Sequence, residues 1–113
     1  MPVRIGFTRF RQQALQAELD RISPQFPQLG VQQAILIGDM ATGEVGPEST
    51  MDLVMVMEIP GNFTRRMDFF ISHLHPEIGS NFLVYTPEEF HTLRETSPFL
   101  ANALKKGKII HES

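Results

Sequence analysis

Two segments decide the fold of this 113-residue chain: Gly38-Asp39-Met40-Ala41-Thr42-Gly43 and Ser49-Thr50-Met51-Asp52-Leu53-Val54-Met55-Val56. The first follows the apolar run at 34–37, so the sequence predicts a buried strand and then a turn bounded by glycines. The second opens with polar residues and one carboxylate and continues as an apolar run. Because residues 53–57 are apolar on both faces, we expect this second strand to lie in the centre of a sheet.

Helical periodicity is predicted on both sides of these strands. Residues 8–22 predict a helix whose apolar face consists of Phe10, Ala14, Leu15, Ala17, Leu19 and Ile22. A second helix is predicted after Asn62, its expected N-cap, and ends before Pro76. Its apolar row consists of Phe63, Met67, Phe70, Ile71 and Leu74.

The remainder of the chain predicts a strand, two helices and a short last strand. Residues 82–85 form an apolar run, and residues 86–89 have the pattern of a capping box with proline at the first helical position. Ser97-Pro98 begins another helix, with Phe99, Leu100, Ala103 and Leu104 as its apolar side chains. Residues 109–110 predict the last strand. We therefore expect an α/β (α+β) fold, a small mixed β-sheet with helices packed on it, as a single domain over residues 1–113.

Composition excludes several classes of protein. A hydrophobic content of 42% with 20% charged residues is typical of a globular protein, and no apolar run approaches a membrane span. The absence of cysteine excludes disulfides and thiolate metal sites. The N-terminus has no apolar core of a secretory signal, so we expect a cytoplasmic location and no membrane partner. A net charge of -3 disfavours nucleic acid as a partner.

The glycine turn and the strand after it resemble the minimal nucleotidyltransferases of the DNA polymerase β superfamily. The residues that match the family pattern are Gly38, Ala41, Gly43, Ser49, Asp52, Leu53, Val54 and Val56. The Thr86-Pro87-Glu88-Glu89-Phe90 run and the ending at 98–111 are also similar, so the resemblance extends from residue 32 onward. It implies a nucleotidyltransferase-like fold.

The resemblance also implies a site for a nucleoside triphosphate (NTP). In the family, carboxylates on neighbouring strands hold two Mg²⁺ ions that bridge the nucleotide phosphates, because hard cations prefer oxygen ligands. Asp52 is then the metal ligand and catalytic residue, with Asp39 as a second candidate. The nucleotide-binding residues implied by the match are Gly38, Asp39, Gly43, Ser49 and Thr50.

This chain departs from the family where the chemistry takes place. Asp39 stands in place of the family serine, and Thr50 in place of the first carboxylate of the strand. Asn81 is expected in place of the third carboxylate, if the two strands pair in that register. Asp52 is then the single remaining acid, and one carboxylate is too few for two Mg²⁺ ions. The sequence therefore predicts a nucleotidyltransferase fold with a degenerate site, acting as a nucleotide-binding or partner-binding module.

Two other functions stay open on the sequence. The first is an active Mg²⁺-dependent enzyme that uses Asp52 and a relocated carboxylate such as Asp39 to move a nucleoside monophosphate to a hydroxyl or protein side chain. The second is an interaction domain that contacts its partner through the helix around Phe69 and Phe70. The resemblance implies a helical partner protein, as in toxin–antitoxin pairs, and a homo-oligomer is a further candidate assembly. His73 and His75 are predicted to be solvated rather than metal ligands.

Overall fold

The computed structural model describes the backbone of residues 2–113 and the side chains of residues 8–113. This part of the chain contains five α-helices and four β-strands, and two short 3-10 helices follow the first helix. The helices are α1 (Pro2–Ile22), α2 (Asp39–Thr42), α3 (Phe63–Leu74), α4 (Pro87–Thr96) and α5 (Pro98–Lys106). The strands are β1 (Gln33–Ile37), β2 (Met51–Val56), β3 (Ser80–Tyr85) and β4 (Lys108–Glu112).

The four strands form one mixed sheet in the order β3-β2-β1-β4. β1 pairs antiparallel with both β2 and β4, while β2 and β3 run parallel. The predicted mixed sheet with packed helices is confirmed. β2 occupies a central position, as its apolar sequence predicted, and β3 and β4 form the edges.

The sheet separates two apolar clusters because successive strand residues point to opposite faces. On one face, α1 and α3 bury Leu15, Leu19 and Phe70 against β2 and β3. On the other face, Phe90 of α4 and Leu100 of α5 pack on the alternate residues of the strands. Asp52 shares this second face with Val54 and Val56, since they follow it at even spacing on β2. The site therefore lies on the side of the sheet that α4 and α5 cover.

The predicted helix starts are confirmed by side-chain caps. Asn62 accepts a hydrogen bond from the backbone N–H of Arg65 at 3.0 Å. Thr86 and Glu89 form both halves of a capping box at the start of α4. Ser97 accepts from the N–H of Leu100, which begins α5 only one residue after α4 ends. These caps fix where α4 and α5 cross the face that carries Asp52.

The first helix differs from its prediction in two respects. α1 begins at Pro2 rather than at residue 8, with proline in a first-turn position where it is tolerated. Phe10 was expected on the apolar face but is 70% exposed, and Ala17 is exposed as well. Among the side chains described in α1, from residue 8 onward, the apolar residues buried in the core are Leu15, Leu19 and Ile22. Periodicity alone does not show where along a helix the body of the protein begins.

The stretch 38–49 contains the one-turn helix α2, which Gly38 and Gly43 flank with positive φ angles, and is otherwise turn and loop. In the helix around Phe69 and Phe70, the predicted contact region, Phe70 is fully buried and Phe69 packs partly buried against the same core. α3 exposes Phe63 and Ile71, and a partner contact through this helix stays a prediction.

Over the part of the chain that the structure describes, no helix is both long and apolar enough to cross a bilayer.

Candidate functional site

Asp52 lies at the start of β2, where two neutral side chains hold its carboxylate. The Thr50 hydroxyl donates to Asp52 Oδ1 at 2.8 Å, and Asn81 Nδ2 donates to the same oxygen, also at 2.8 Å. The parallel pairing of β2 with β3 sets Asn81 directly beside Asp52, so the predicted register of Asn81 is confirmed. Thr50, Asp52 and Asn81 are thus in contact, and one of the three is an acid.

Gly38 makes room for that carboxylate. Its backbone has φ 74° and ψ -154°, a combination that residues with a side chain adopt only with strain. A Cβ atom at this position would lie 2.8 Å from Asp52 Oδ2. Gly43, which ends α2 at φ 81°, has no atom within 4 Å of its own Cβ position. The first glycine is therefore required by both backbone and space, and the second by the backbone alone.

Asp39 lies in the first turn of α2, and its carboxylate bonds to the loop before β2 rather than to the Asp52 cluster. Its Oδ2 accepts a hydrogen bond of 2.6 Å from the hydroxyl of Ser49, a buried residue. Ser49 in turn accepts from the backbone N–H of Gly46 at 2.8 Å. This pair therefore connects the first turn of α2 to the loop before β2, and the Asp39 carboxylate is used in that connection.

The two acids also line different cavities. Asp39 lines one of about 600 Å³ together with Glu44 and Glu48. Asp52 lines another, of about 660 Å³, between the sheet and α5. Among the described residues, no three His, Cys, Asp or Glu side chains are grouped closely enough to hold a metal ion. The structure does not bring Asp39 and Asp52 together in one cavity.

The cavity beside Asp52 has side chains that the sequence did not identify. Besides Asp52 and Asn81, its polar and aromatic lining comprises Thr42, Phe99, Asn102 and Lys106. Phe99, one of the apolar side chains named for its helix, is 60% exposed. Phe99, Asn102 and Lys106 follow one another at spacings of three and four, which places them on one face of α5. This row of one aromatic and two polar residues could have indicated a binding face from the sequence, because the core residue Leu100 lies on a different face of the helix.

The histidines near the end of α3 are not grouped as ligands. His73 is exposed, with Nδ1 2.7 Å from the carbonyl oxygen of Phe69. His75 is exposed and ends the helix in the left-handed conformation at φ 46°. Their predicted solvation is confirmed.

Comparison with solved structures identifies a shared fold. The crystal structure, at 1.40 Å resolution, of a candidate nucleotidyltransferase from Sulfolobus solfataricus superposes with a TM-score of 0.55. The match covers 96% of this chain and 86% of that chain, at 14% sequence identity. No protein-family model matches the sequence, and a search of curated proteins finds no match. The chain therefore has a nucleotidyltransferase-like fold, as its glycine turn and central strand predicted.

Proposed function

We propose that this protein is a non-catalytic member of the nucleotidyltransferase-like fold that binds a nucleotide in the cavity beside Asp52. The observation that carries the proposal is the trio of Thr50, Asp52 and Asn81. A hydroxyl and an amide stand where the resemblance implies carboxylates, and both donate to the acid that remains.

This donor set fits a pair of Mg²⁺ ions poorly. Mg²⁺ requires nearly ideal octahedral geometry and loses its water ligands reluctantly, so protein sites compensate with carboxylate charge. Asp52 supplies one negative charge, and its Oδ1 already accepts two hydrogen bonds. Thr50 and Asn81 bring oxygen atoms without charge. Transfer chemistry that depends on two metal ions is therefore not expected.

The same substitutions favour binding of a phosphate group without a metal. A trio of carboxylates repels phosphate unless cations intervene. The charged groups that line this cavity, over the residues described, are the carboxylate of Asp52 and the ammonium group of Lys106. Thr42, Asn81 and Asn102 add neutral polar groups at its wall. Its volume of about 660 Å³ lies within the range of about 300–1,000 Å³ that is usual for small-molecule pockets.

The rival function is an active enzyme that moves a nucleoside monophosphate with Mg²⁺ held by Asp52 and Asp39. We rank it second because the Asp39 carboxylate accepts from Ser49 and faces a different cavity. A helical partner, a toxin–antitoxin role, self-association and a cytoplasmic location stay predictions. Light scattering on the purified protein tests self-association directly.

The proposal is tested by titrating ATP calorimetrically with and without Mg²⁺. We expect weak binding that Mg²⁺ changes by less than about twofold, and no transfer of labelled nucleotide. The double variant Thr50→Asp with Asn81→Asp rebuilds the three carboxylates, and there we expect Mg²⁺ to strengthen ATP binding about tenfold or more. Gln12→Glu with Gln13→Glu adds the same charge at exposed positions of α1 and serves as the control.

Each outcome separates the two functions. Tight Mg²⁺-dependent binding by the natural chain, abolished by Asp52→Asn, would overturn the non-catalytic proposal and support the enzyme. No binding at millimolar ATP, with or without Mg²⁺, would overturn the nucleotide-binding proposal.

A further inference from the structure

A second, smaller cavity continues from the Asp52 cavity along the edge of the sheet. It has a volume of about 230 Å³ and shares two lining residues, Leu83 and Phe99, with the larger one. Its other walls are mostly apolar, with Phe63 and Met67 from α3 and Tyr85 from β3. The two cavities form one groove, polar at the Asp52 end and aromatic at the other.

We propose that this smaller cavity is the subsite for the base of a nucleoside 5′-phosphate whose phosphate group lies near Lys106. The inference rests on the proposed function and specifies how the ligand is oriented. It names two groups of residues that the glycine turn does not include. Phe63 and Phe99 contact the base, while Lys106 and Asn102 contact the phosphate end.

One row of β3 side chains runs along the groove, and Phe82, from the opposite face of the strand, also lines the smaller cavity. Asn81, Leu83 and Tyr85 lie at even spacing and so project from the same face of the strand. At about 3.3 Å per residue, the distance along the strand from Asn81 to Tyr85 is roughly 13 Å. The row changes from an amide through an aliphatic side chain to an aromatic one. A nucleotide has the same order of polarity, from phosphate through sugar to base.

The phenylalanine side chains that line the smaller cavity are more exposed than is usual for large apolar residues. Phe63 is 50% exposed and Phe99 is 60% exposed, although both lie in the first turns of helices that bury other side chains. Phe63 is held in place by an edge-to-face contact with Tyr85, with ring centroids 5.2 Å apart. Exposed aromatic faces around a cavity suit a flat heterocycle, because every base has a π-face that stacks on them.

Charge also favours this orientation. Among the described residues, Lys106 is the one cation that lines either cavity, and it lies on the wall of the polar one. The aromatic cavity has no charged lining residue over the described part of the chain, so an anionic group has no partner there. A base at the polar end would leave the phosphate among phenylalanine and methionine side chains, where its desolvation is costly.

The test compares three ligands by calorimetry: AMP, ribose 5-phosphate and adenosine. We expect ribose 5-phosphate and adenosine each to bind at least about tenfold more weakly than AMP, because each lacks one contact group. Phe99→Ala should weaken AMP binding about fivefold to 100-fold and leave ribose 5-phosphate unchanged. Phe10→Ala, which removes an exposed ring on α1, is the control. Lys106→Gln should weaken both phosphates, whereas Lys105→Gln, the neighbouring exposed lysine, should not.

A second measurement reports position rather than affinity. Tyr85 is the single tyrosine of the chain, so its ring protons are easily followed by NMR. Because the base would lie beside that ring, AMP should shift those resonances and ribose 5-phosphate should not.

Equal affinity for AMP and ribose 5-phosphate, with no shift at Tyr85, would overturn the base subsite while leaving nucleotide binding intact. An AMP affinity unchanged by Phe99→Ala would overturn it as well. Failure of AMP and ATP alike to bind at millimolar concentration is the distinct result that overturns the proposed function itself.

Discussion

Glu18 and Glu89 differ from Asp52 in the kind of group that holds them. Arg21 donates to both carboxylate oxygens of Glu18, and Arg66 donates to those of Glu89. Asp52 receives hydrogen bonds from a hydroxyl and an amide. The first two acids have charged partners, while the negative charge of Asp52 is left available to the cavity it lines.

The two ion pairs join elements of the fold. Glu18 is 6% exposed and also accepts the backbone N–H of Glu77 at 2.5 Å, while Arg21 donates to the carbonyl oxygens of Leu74 and His75. Together they attach α1 to the end of α3. Such a set of charge-assisted hydrogen bonds stabilises the fold by holding otherwise unpaired backbone groups.

Arg66 likewise connects elements of the fold, at the edge strand β3. Its Nη1 donates to the carbonyl oxygen of Val84 at 3.2 Å and to Glu89 at 2.5 Å, which connects α3, β3 and α4. Pairing one backbone group of an edge strand with a side chain also makes that edge less available to another strand. The acids with arginine partners, Glu18 and Glu89, therefore connect elements of the fold, whereas Asp52, which has neutral partners, borders the cavity.

The largest effect that would test this contrast is expected at Gly38. Gly38→Ala should destabilise the protein by about 3 kcal/mol or more, because it combines backbone strain with a clash against Asp52. Gly43→Ala, with the same sign of φ and open space, should cost about 1–2 kcal/mol. Urea unfolding of both variants measures the difference.

A double-mutant cycle separates the two causes. In an Asp52→Ala background the clash is gone, so Gly38→Ala should cost only the backbone strain. Equal costs of Gly38→Ala with and without the Asp52 carboxylate would contradict the geometry described above.

The next largest effect is the change of stability at low pH. Hydrogen bonding from Arg66 lowers the pKa of Glu89, and that from Arg21 lowers the pKa of Glu18. A carboxylate whose pKa is lower in the folded state adds stability above its unfolded pKa and loses it as pH falls through the folded pKa. The free energy of unfolding should therefore decrease as pH is lowered below about 4.5, the ordinary value for glutamate.

Glu89→Gln tests the contribution of one pair. At pH 7 it should cost about 1–3 kcal/mol, because Arg66 is left buried without its charged partner, and the decrease of stability in acid should become smaller. Glu95→Gln removes a charge from an exposed position of the same helix and is the control. A Glu89→Gln variant as stable as the control would show that this pair does not support the fold.

The sequence was sufficient for the parts of the molecule that depend on local rules. The caps at Asn62 and Thr86 and the central position of β2 follow from residue types at short spacing. The groove could not be predicted in the same way, because the apolar character of Phe99 does not show that its side chain is exposed. Whether an apolar side chain is buried depends on which elements pack against it, and Phe10 shows the same limit on α1.

The arrangement of Thr50, Asp52 and Asn81 could be predicted from the sequence only in part. Two of its members, Thr50 and Asp52, are two residues apart, so their shared face follows from strand geometry. The third, Asn81, depends on a pairing across 29 positions of chain, and its place followed from the family pattern rather than from periodicity. The direction of its amide toward Asp52 depends on how β2 and β3 pair, which local sequence rules do not give.

The smallest effect is expected at Asp52 itself. Asp52→Asn keeps an oxygen that accepts from Thr50 and Asn81, so the free energy of unfolding should change by less than about 0.5 kcal/mol. This near-zero change should contrast with the loss expected for Glu89→Gln, although both variants replace a carboxylate by an amide. Urea unfolding of the two variants under the same conditions measures the contrast. A loss above about 1 kcal/mol for Asp52→Asn would show that Asp52 supports the fold as the ion-paired acids do. A small loss would agree with a residue whose charge serves a ligand, since binding sites are commonly not optimised for stability.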